Sequence, residues 1–206
     1  MNSETKWVID PTHSQIACKV RHLMIAYVKG LFKDFEASIY TKEKDFTTAK
    51  VELTIDANSI STGDINRDAH LKSGDFLDVK NHPKIIFVSK TIEKEDEHGN
   101  HTLWGELTIK GITKPVKLNV RFGGMAIDPS GIEKAGFEIK GKIYRTDWGL
   151  VWNATMETGG LIVNNEVLIS SEIELHKDGQ IDLKKELEPI GIQQEPNMNR
   201  QTNIFK

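Results

Sequence analysis

The chain has 206 residues, enough for one well-buried domain or for a domain with an appendage. Its 27 Lys and Arg residues nearly balance 30 Asp and Glu residues, leaving a net charge of −3. This balance gives no general positive field, so we expect no nucleic-acid partner. No window approaches the roughly twenty apolar residues that cross a bilayer, and the first residues lack a signal-peptide pattern. We therefore expect a soluble, cytoplasmic protein without a transmembrane segment.

Alternation of apolar and polar residues predicts that most of the chain forms β-strands. Along the chain the pattern covers residues 16–20, 31–41, 51–55, 84–92, 103–109, 116–122, 137–143 and 167–175. About eight such segments, separated by turn residues, are typical of an antiparallel barrel or sandwich.

The alternation stops at residues 67–83, RDAHLKSGDFLDVKNHP. Ser61 or Asp64 could cap the start of a helix here, and Gly74 could end it. Pro83 stops any further helical turn. We predict a helical excursion at this point, lying against one end of the strands.

The strand that follows, residues 84–88, is apolar on both faces, because Ile86 and Val88 alternate with Ile85 and Phe87. Something should therefore cover its outer side. The excursion is the first candidate, since neighbours in sequence tend to be neighbours in space. A second copy of the chain is the other candidate.

The single cysteine, Cys18, cannot build a disulfide framework. It shares the alternating phase of Ile16 and Val20, so we interpret it as a small core residue. Strand patterning ends near residue 177, and residues 178–206 are polar and interrupted by proline. We predict a domain over residues 1–177 and a C-terminal extension over 178–206, either mobile or docked.

No motif requires catalysis or a cofactor. The chain lacks a Gly-rich phosphate loop and a nucleophile elbow, and its seven histidines show no helical zinc spacing. The carboxylate pairs Asp64/Asp68 and Asp75/Asp78 are explained by helix capping. We expect no catalytic residue, no metal and no cofactor.

The barrel interior is the remaining place for function. Eight antiparallel strands can enclose one slender ligand unless large side chains fill the space. Gly105, Gly141 and Ser171 fall at inward positions among larger residues. By alternation alone, a packed interior is slightly favoured over a cavity.

Polar residues near one end of the strands favour a ligand. His22 continues the inward phase of its strand, and Arg67 and His70 share one helical face. Such groups around an apolar tube would suit a ligand with a polar or anionic head and an apolar tail. Alternatively, Arg67 pairs with a nearby Asp and both histidines bond to backbone carbonyls.

Four segments follow one another along the chain: DPTHSQIACKVRHLMIAYVKGLFKDF (10–35), RDAHLKSGDFLDVKNHPKIIF (67–87), GELTIKGITKPVKL (105–118) and YRTDWGL (144–150). In this order they resemble the signature segments of the YceI-like polyisoprenoid-binding proteins, across about residues 7–176. The resemblance implies an extended lipocalin-like barrel that holds an isoprenoid, a quinone or a similar amphiphile without catalysis. It also implies a homodimer, and Arg145 with Asp147 as a structural pair.

The predicted fold class is therefore all-β, an extended antiparallel eight-stranded lipocalin-like barrel with a short helical excursion at one end. The predicted function is noncatalytic binding, storage or transport of a long-chain isoprenoid, quinone or related amphiphilic lipid, with transient membrane contact. Two alternatives stay open, an enzyme with His22 or His70 as general base and a packed interaction module. The predicted ligand-binding residues are His22, Phe32, Leu53, Ile55, Arg67, His70, Leu71, Phe76, Phe87, Trp104, Leu107, Ile139, Ile143 and Trp148.

Overall fold

A computed structural model describes residues 4–93, 96, 99–155 and 161–179 of the chain. Its strand pairings are antiparallel. The strands are β1 (Glu4–Ile9), β2 (Gln15–His22), β3 (Ala26–Phe32), β4 (Phe35–Lys42), β5 (Asp45–Asp56), β6 (Ile60–Ser61), β7 (Lys84–Ile92), β8 (Asn100–Ile109), β9 (Ile112–Ile127), β10 (Glu133–Tyr144) and β11 (Val163–Lys177).

Several short strands are halves of longer, bent ones. β1 and β2 both pair with β11 on one side. On the other side β1 pairs with β4, and β2 pairs with β3. β6 follows β5 after a 3-10 turn at Ala57–Ser59 and pairs with β3. Joining these halves leaves eight long strands, and the β1–β11 pairing closes them into a barrel. The predicted eight-stranded antiparallel barrel is confirmed.

The predicted excursion is a helix, α1 (Ile65–Lys72), followed by irregular turns. The Asp64 side chain caps its start by accepting hydrogen bonds from the backbone N–H groups of Asn66 and Arg67. Its last turn is followed by Ser73 as the C-cap. Lys110, in the β8–β9 turn, donates from Nζ to the Gly74 carbonyl at 2.8 Å. The excursion therefore lies against one end of the barrel, as expected.

The outer face of β7 corrects one expectation. Ile85 and Phe87 are buried inside the barrel, whereas Ile86 and Val88 face outward with 39% and 36% of their surfaces exposed. The excursion therefore does not cover this face. Helix α1 and its turns lie at the end of the barrel, because residues 62–83 connect two strand ends there.

No helix in the described parts of the chain has the length and apolar character needed to span a bilayer. The predicted C-terminal extension falls almost entirely on residues 180–206, which lie outside the described residues.

Candidate functional site

A cavity of about 800 Å³ occupies the barrel interior. This volume is near the upper end of the roughly 300–1,000 Å³ usual for small-molecule sites. Aliphatic and aromatic side chains form most of its wall, among them Leu53, Ile55, Leu107, Ile139 and Ile143. The packed interior that alternation slightly favoured is therefore wrong, because the barrel is hollow over most of its length.

Small residues in the wall help to keep the interior open. A Cβ atom on Gly141 would come within 2.6 Å of a Leu118 methyl group, and one on Gly30 within 3.1 Å of the Cys18 sulfur. These glycines let larger neighbours on adjacent strands lie close to the wall. The gap that the sequence shows at Gly141 is thus filled from the side by Leu118, whereas Ser171 lines the cavity itself.

The cavity reaches exposed side chains at the end that carries α1. We call this end the mouth and define it by His22, Thr62, Arg67, His70 and Trp152, which all line the cavity. Both His22 and Arg67 are exposed. A ligand could therefore enter or present its head group here.

Thr62 holds the Arg67 side chain in place. Arg67 Nε donates to Thr62 Oγ1 at 2.7 Å, and Nη2 donates to the Thr62 carbonyl at 3.0 Å. Asp68 accepts hydrogen bonds from the backbone N–H and the hydroxyl of the same threonine. These bonds hold the pKa of Asp68 below its ordinary value, the hydroxyl bond contributing most. The alternative in which Arg67 pairs with an Asp is thus replaced by bonds to Thr62, and among the described residues no carboxylate bonds to its guanidinium.

His70 combines a hydrogen bond with aromatic packing. Its Nε2 lies 3.0 Å from an Asp75 carboxylate oxygen. Its ring meets Phe76 at a centroid distance of 5.0 Å and Trp152 at 4.6 Å, both edge to face. This geometry is favourable for aromatic rings. The partner of His70 is therefore a carboxylate rather than the backbone carbonyl of the alternative interpretation.

Arg145 is a buried cation in the wall near the mouth, with 5% of its surface exposed. Nε donates to the Asn164 carbonyl at 2.9 Å, and Nη1 to the Trp152 carbonyl at 2.8 Å and to the Leu150 carbonyl. Burial lowers the pKa of its guanidinium from the ordinary value. Its bonds to carbonyl groups and the exposure of Asp147 correct the expected Arg145–Asp147 pair.

Arg21 adds a third guanidinium to the cavity lining. Its Nε is buried and finds no hydrogen-bond acceptor in the described part of the chain. Its guanidinium carbon lies 5.5 Å from the Tyr27 ring centroid, a cation–π distance. Among the described residues that line the cavity, the only carboxylate is Asp45, at the opposite end. The mouth therefore presents positive charge.

Thirteen of the fourteen predicted ligand-binding residues line the cavity, the exception being Trp104. Trp104 lies on the outer face of β8 with 37% of its surface exposed. Its indole N–H donates to Glu93 at 2.8 Å, and the Lys117 ammonium lies 5.6 Å from its ring centroid. Trp148, by contrast, is 2% exposed and donates its indole N–H to the Leu107 carbonyl at 3.0 Å.

Cys18 also lines the cavity, as its alternating phase suggested. Burial raises the pKa of the Cys18 thiol to about 11. The thiol is therefore protonated at neutral pH, so it behaves as an apolar wall group and not as a nucleophile.

One cluster of possible metal ligands lies away from the cavity. Ligand atoms of Asp10, His13 and Glu174 lie within 4.8 Å of one another. The Lys134 ammonium already lies 2.8 Å from Asp10 and 3.1 Å from Glu174. Partial burial alone would raise the pKa of Asp10, but hydrogen bonds from Lys134 and His13 lower it well below its ordinary value. The chain thus supplies its own cation for this cluster.

The model of the YceI-like domain matches residues 7–175. A UPF0312 protein of Staphylococcus epidermidis is 35% identical over 175 residues, covering 84% of this chain and 99% of that protein. The crystal structure of the Campylobacter jejuni YceI protein matches with a TM-score of 0.65 and 33% identity, covering 77% of this chain and 90% of that one.

A more distant structure is a polyisoprenoid-binding domain from Saccharophagus degradans, with a TM-score of 0.58 and 12% identity over 83% of this chain and 98% of that one. At this identity the likeness shows the fold alone. Because the family model matches residues 7–175 and the staphylococcal protein is 35% identical, the chain belongs to the YceI-like domain family.

Proposed function

We propose that this protein binds a long-chain isoprenoid, a quinone or a related amphiphilic lipid inside the barrel, and stores or transports it without catalysis. The observation that carries the proposal is the cavity of about 800 Å³, apolar along its length and cationic at one end. Membership of the YceI-like family supports it. So does the shared fold with a structure described as a polyisoprenoid-binding domain.

The tail would be held by burial of hydrocarbon, which is worth about 0.8 kcal/mol for each methylene taken from water. For a long chain this sum exceeds the ceiling of about 20 kcal/mol for noncovalent affinity, so free exchange through water would be too slow to matter. The relevant exchange is between the barrel and a membrane, which calls for transient membrane contact. There the transfer of the tail largely cancels, and the head-group contacts decide the partition.

The head group would lie at the mouth. Within the described part of the chain, Arg67 is held by Thr62 with no direct carboxylate bond, and the buried Nε of Arg21 lacks an acceptor. A phosphate, carboxylate or quinone oxygen can accept from such donors. We propose that Arg67 contacts the head group and that His70, fixed by Asp75 and Trp152, bounds it on one side.

The noncatalytic part of the proposal rests on how His70 and Cys18 are used. The His70 ring is flanked by Phe76 and Trp152 and its Nε2 is taken by Asp75, and the Cys18 thiol has a pKa raised by burial. Neither arrangement favours catalysis, whether by proton abstraction at His70 or by nucleophilic attack from Cys18. The alternative of a general base predicts turnover of a bound amphiphile, and mass spectrometry of the recovered ligand would detect it.

We also propose a cytoplasmic location and a homodimer. The single cysteine fits a cytoplasmic location, because one cysteine cannot form a disulfide within the chain. A homodimer is implied by the family resemblance, and the exposed Ile86 and Val88 would suit such an interface. Sedimentation across a range of concentrations tests it, and a constant monomer mass would contradict it.

Native mass spectrometry of the full chain tests the proposed function. The purified protein should carry extra mass of lipid size, and solvent extraction should remove that mass and release an intact amphiphile. Protein of bare sequence mass that also takes up no prenol, quinone or fatty acid from vesicles would contradict the proposal.

A further inference from the structure

We propose that Phe46 is a chain-length stop, which sets the longest hydrocarbon tail that the barrel accepts. The inference rests on the proposed function and adds to it a residue that determines specificity. Phe46 lies near the start of β5 and lines the cavity at the end opposite the mouth. We call this end the far end and define it by Phe46, Phe122 and Phe137.

The rings at the far end meet across the barrel. β5 and β10 are separated by three strands in either direction around the closed sheet, so they face each other across the axis. Nevertheless, the ring centroids of Phe46 on β5 and Phe137 on β10 are only 4.9 Å apart. Phe122, on the neighbouring β9, lies 5.9 Å from Phe46 and 5.3 Å from Phe137. At this level the three rings meet across the axis and narrow the channel.

The stop has a firm backing. The Phe46 ring lies 5.0 Å from that of Trp7, which is fully buried. Trp7 donates its indole N–H to the Thr41 hydroxyl at 3.0 Å, and that hydroxyl donates to the Glu43 carbonyl at 2.6 Å. These bonds anchor the β4–β5 turn, which comes just before Phe46 on β5.

An ion pair fixes the same turn to the opposite wall. Lys44, two residues before Phe46, pairs with Glu133 at the start of β10. The hydrogen bond from Lys44 lowers the pKa of Glu133 from its ordinary value. The turn is thus held both by Trp7 and by Glu133, which favours a fixed position of the neighbouring Phe46 ring.

On the mouth side of the stop, β5 presents smaller apolar side chains to the cavity. The next residue of β5 that faces the cavity and is apolar is Ala49, followed by Val51 and Leu53. The change from a phenyl ring to a methyl group leaves more room beside Ala49 than beside Phe46. A tail that enters from the mouth would therefore end with its terminal methyl group against Phe46.

A series of saturated fatty acids of increasing length provides the test. Their affinity is measured by displacement of the fluorescent anion anilinonaphthalene sulfonate from the full-length protein. While each added methylene enters the barrel, affinity should rise about fourfold per methylene. The rise should stop at the length where the tail reaches Phe46.

Two substitutions should move this break in opposite directions. Phe46→Ala should let the rise continue, giving about fifteenfold higher affinity than wild type for an acid two methylenes beyond the break, the gain from burying those two methylenes. Ala49→Phe should move the break to shorter chains. Phe35→Ala is the matched control, because Phe35 packs against the same core but does not line the cavity. In Phe35→Ala, affinity should stop rising at the same chain length as in the wild-type protein.

The outcomes separate the stop from the proposed function. An unchanged break in both Phe46→Ala and Ala49→Phe would overturn the stop and leave lipid binding intact. Failure of every chain length to displace the probe from the wild-type protein would contradict lipid binding itself. If Phe46→Ala does not fold, Phe46→Leu and Ala49→Phe still decide the question.

Discussion

The ring of Phe87 on β7 lies against the backbone of Gly105 on β8, so closely that a Cβ atom on Gly105 would come within 2.4 Å of the ring carbons. Only glycine allows this arrangement, because any side chain would occupy the space of the ring. Phe87 is thereby held close to the wall and out of the centre of the channel. The open volume of the barrel depends on this contact between neighbouring strands.

Gly105→Ala should reduce both stability and lipid capacity. The new methyl group would displace the Phe87 ring toward the channel, and it would also meet the Val88 carbonyl oxygen at 2.7 Å. We expect a loss of about 2 kcal/mol in the free energy of unfolding, as for other overpacked cores. Denaturant unfolding and native mass spectrometry would measure the two effects. Adding Phe87→Leu should restore lipid capacity but only part of the stability, because the clash with the carbonyl remains.

Replacing Arg67 and His70 together by Ala should weaken retention of lipids with polar or anionic heads. We expect a loss of about tenfold against vesicles, the effect of one charge-assisted hydrogen bond. Lys72→Ala is the control, because this base lies on the same helix but does not line the cavity. Extraction and lipid mass spectrometry measure the retained ligand. Equal retention of every lipid class by the double variant would refute the head-group role.

Arg145→Met should destabilise the fold at the mouth. The change would leave the carbonyls of Asn164, Leu150 and Trp152 without their donor. Buried acceptors without a partner are costly, so we expect a loss of about 3 kcal/mol in the free energy of unfolding. Asp147→Asn, at an exposed neighbouring position, should change stability by less than about 0.5 kcal/mol. Equal midpoints for wild type and Arg145→Met in urea would contradict this structural role.

The Cys18 thiol should react slowly with iodoacetamide and more quickly as the pH rises. Its pKa of about 11 leaves it protonated at pH 7.5, so alkylation should be about a hundredfold slower than for free cysteine. The rate should climb until the pH approaches the pKa. Lipid loading should slow it further, because Cys18 lines the cavity. An ordinary rate at pH 7.5 in the folded protein would show that the thiol is not enclosed.

The strands could be predicted from the sequence because one face of each repeats every two residues. The same alternation places Leu103, Gly105 and Leu107 inside the barrel and therefore Trp104 outside. The prediction that Trp104 binds ligand was inconsistent with this alternation. The helix was also predictable, since Asp64 provides a local capping signal. These features depend on residues close together in the chain.

Two cavity-lining residues that no local pattern predicts, Arg21 and Phe46, depend on pairings between strands distant in the chain. Arg21 was out of phase with the inward residues, yet it reaches the cavity at the end of β2, where the pairing with β11 shifts between Val163 and Val167. Phe46 follows an irregularity in the β4–β5 pairing between Tyr40 and Lys42, which changes the inward phase of β5. No local pattern shows that its ring meets a strand from across the barrel.

Photo-crosslinking with a fatty acid that carries a diazirine at its terminal carbon tests the central claim most directly. If the barrel holds the tail with its end toward the far end, irradiation should label the β5 segment around Phe46 and Ala49, together with Phe122 and Phe137. Labelling confined to the outer face, at Ile86, Val88 or Trp104, would contradict binding inside the barrel.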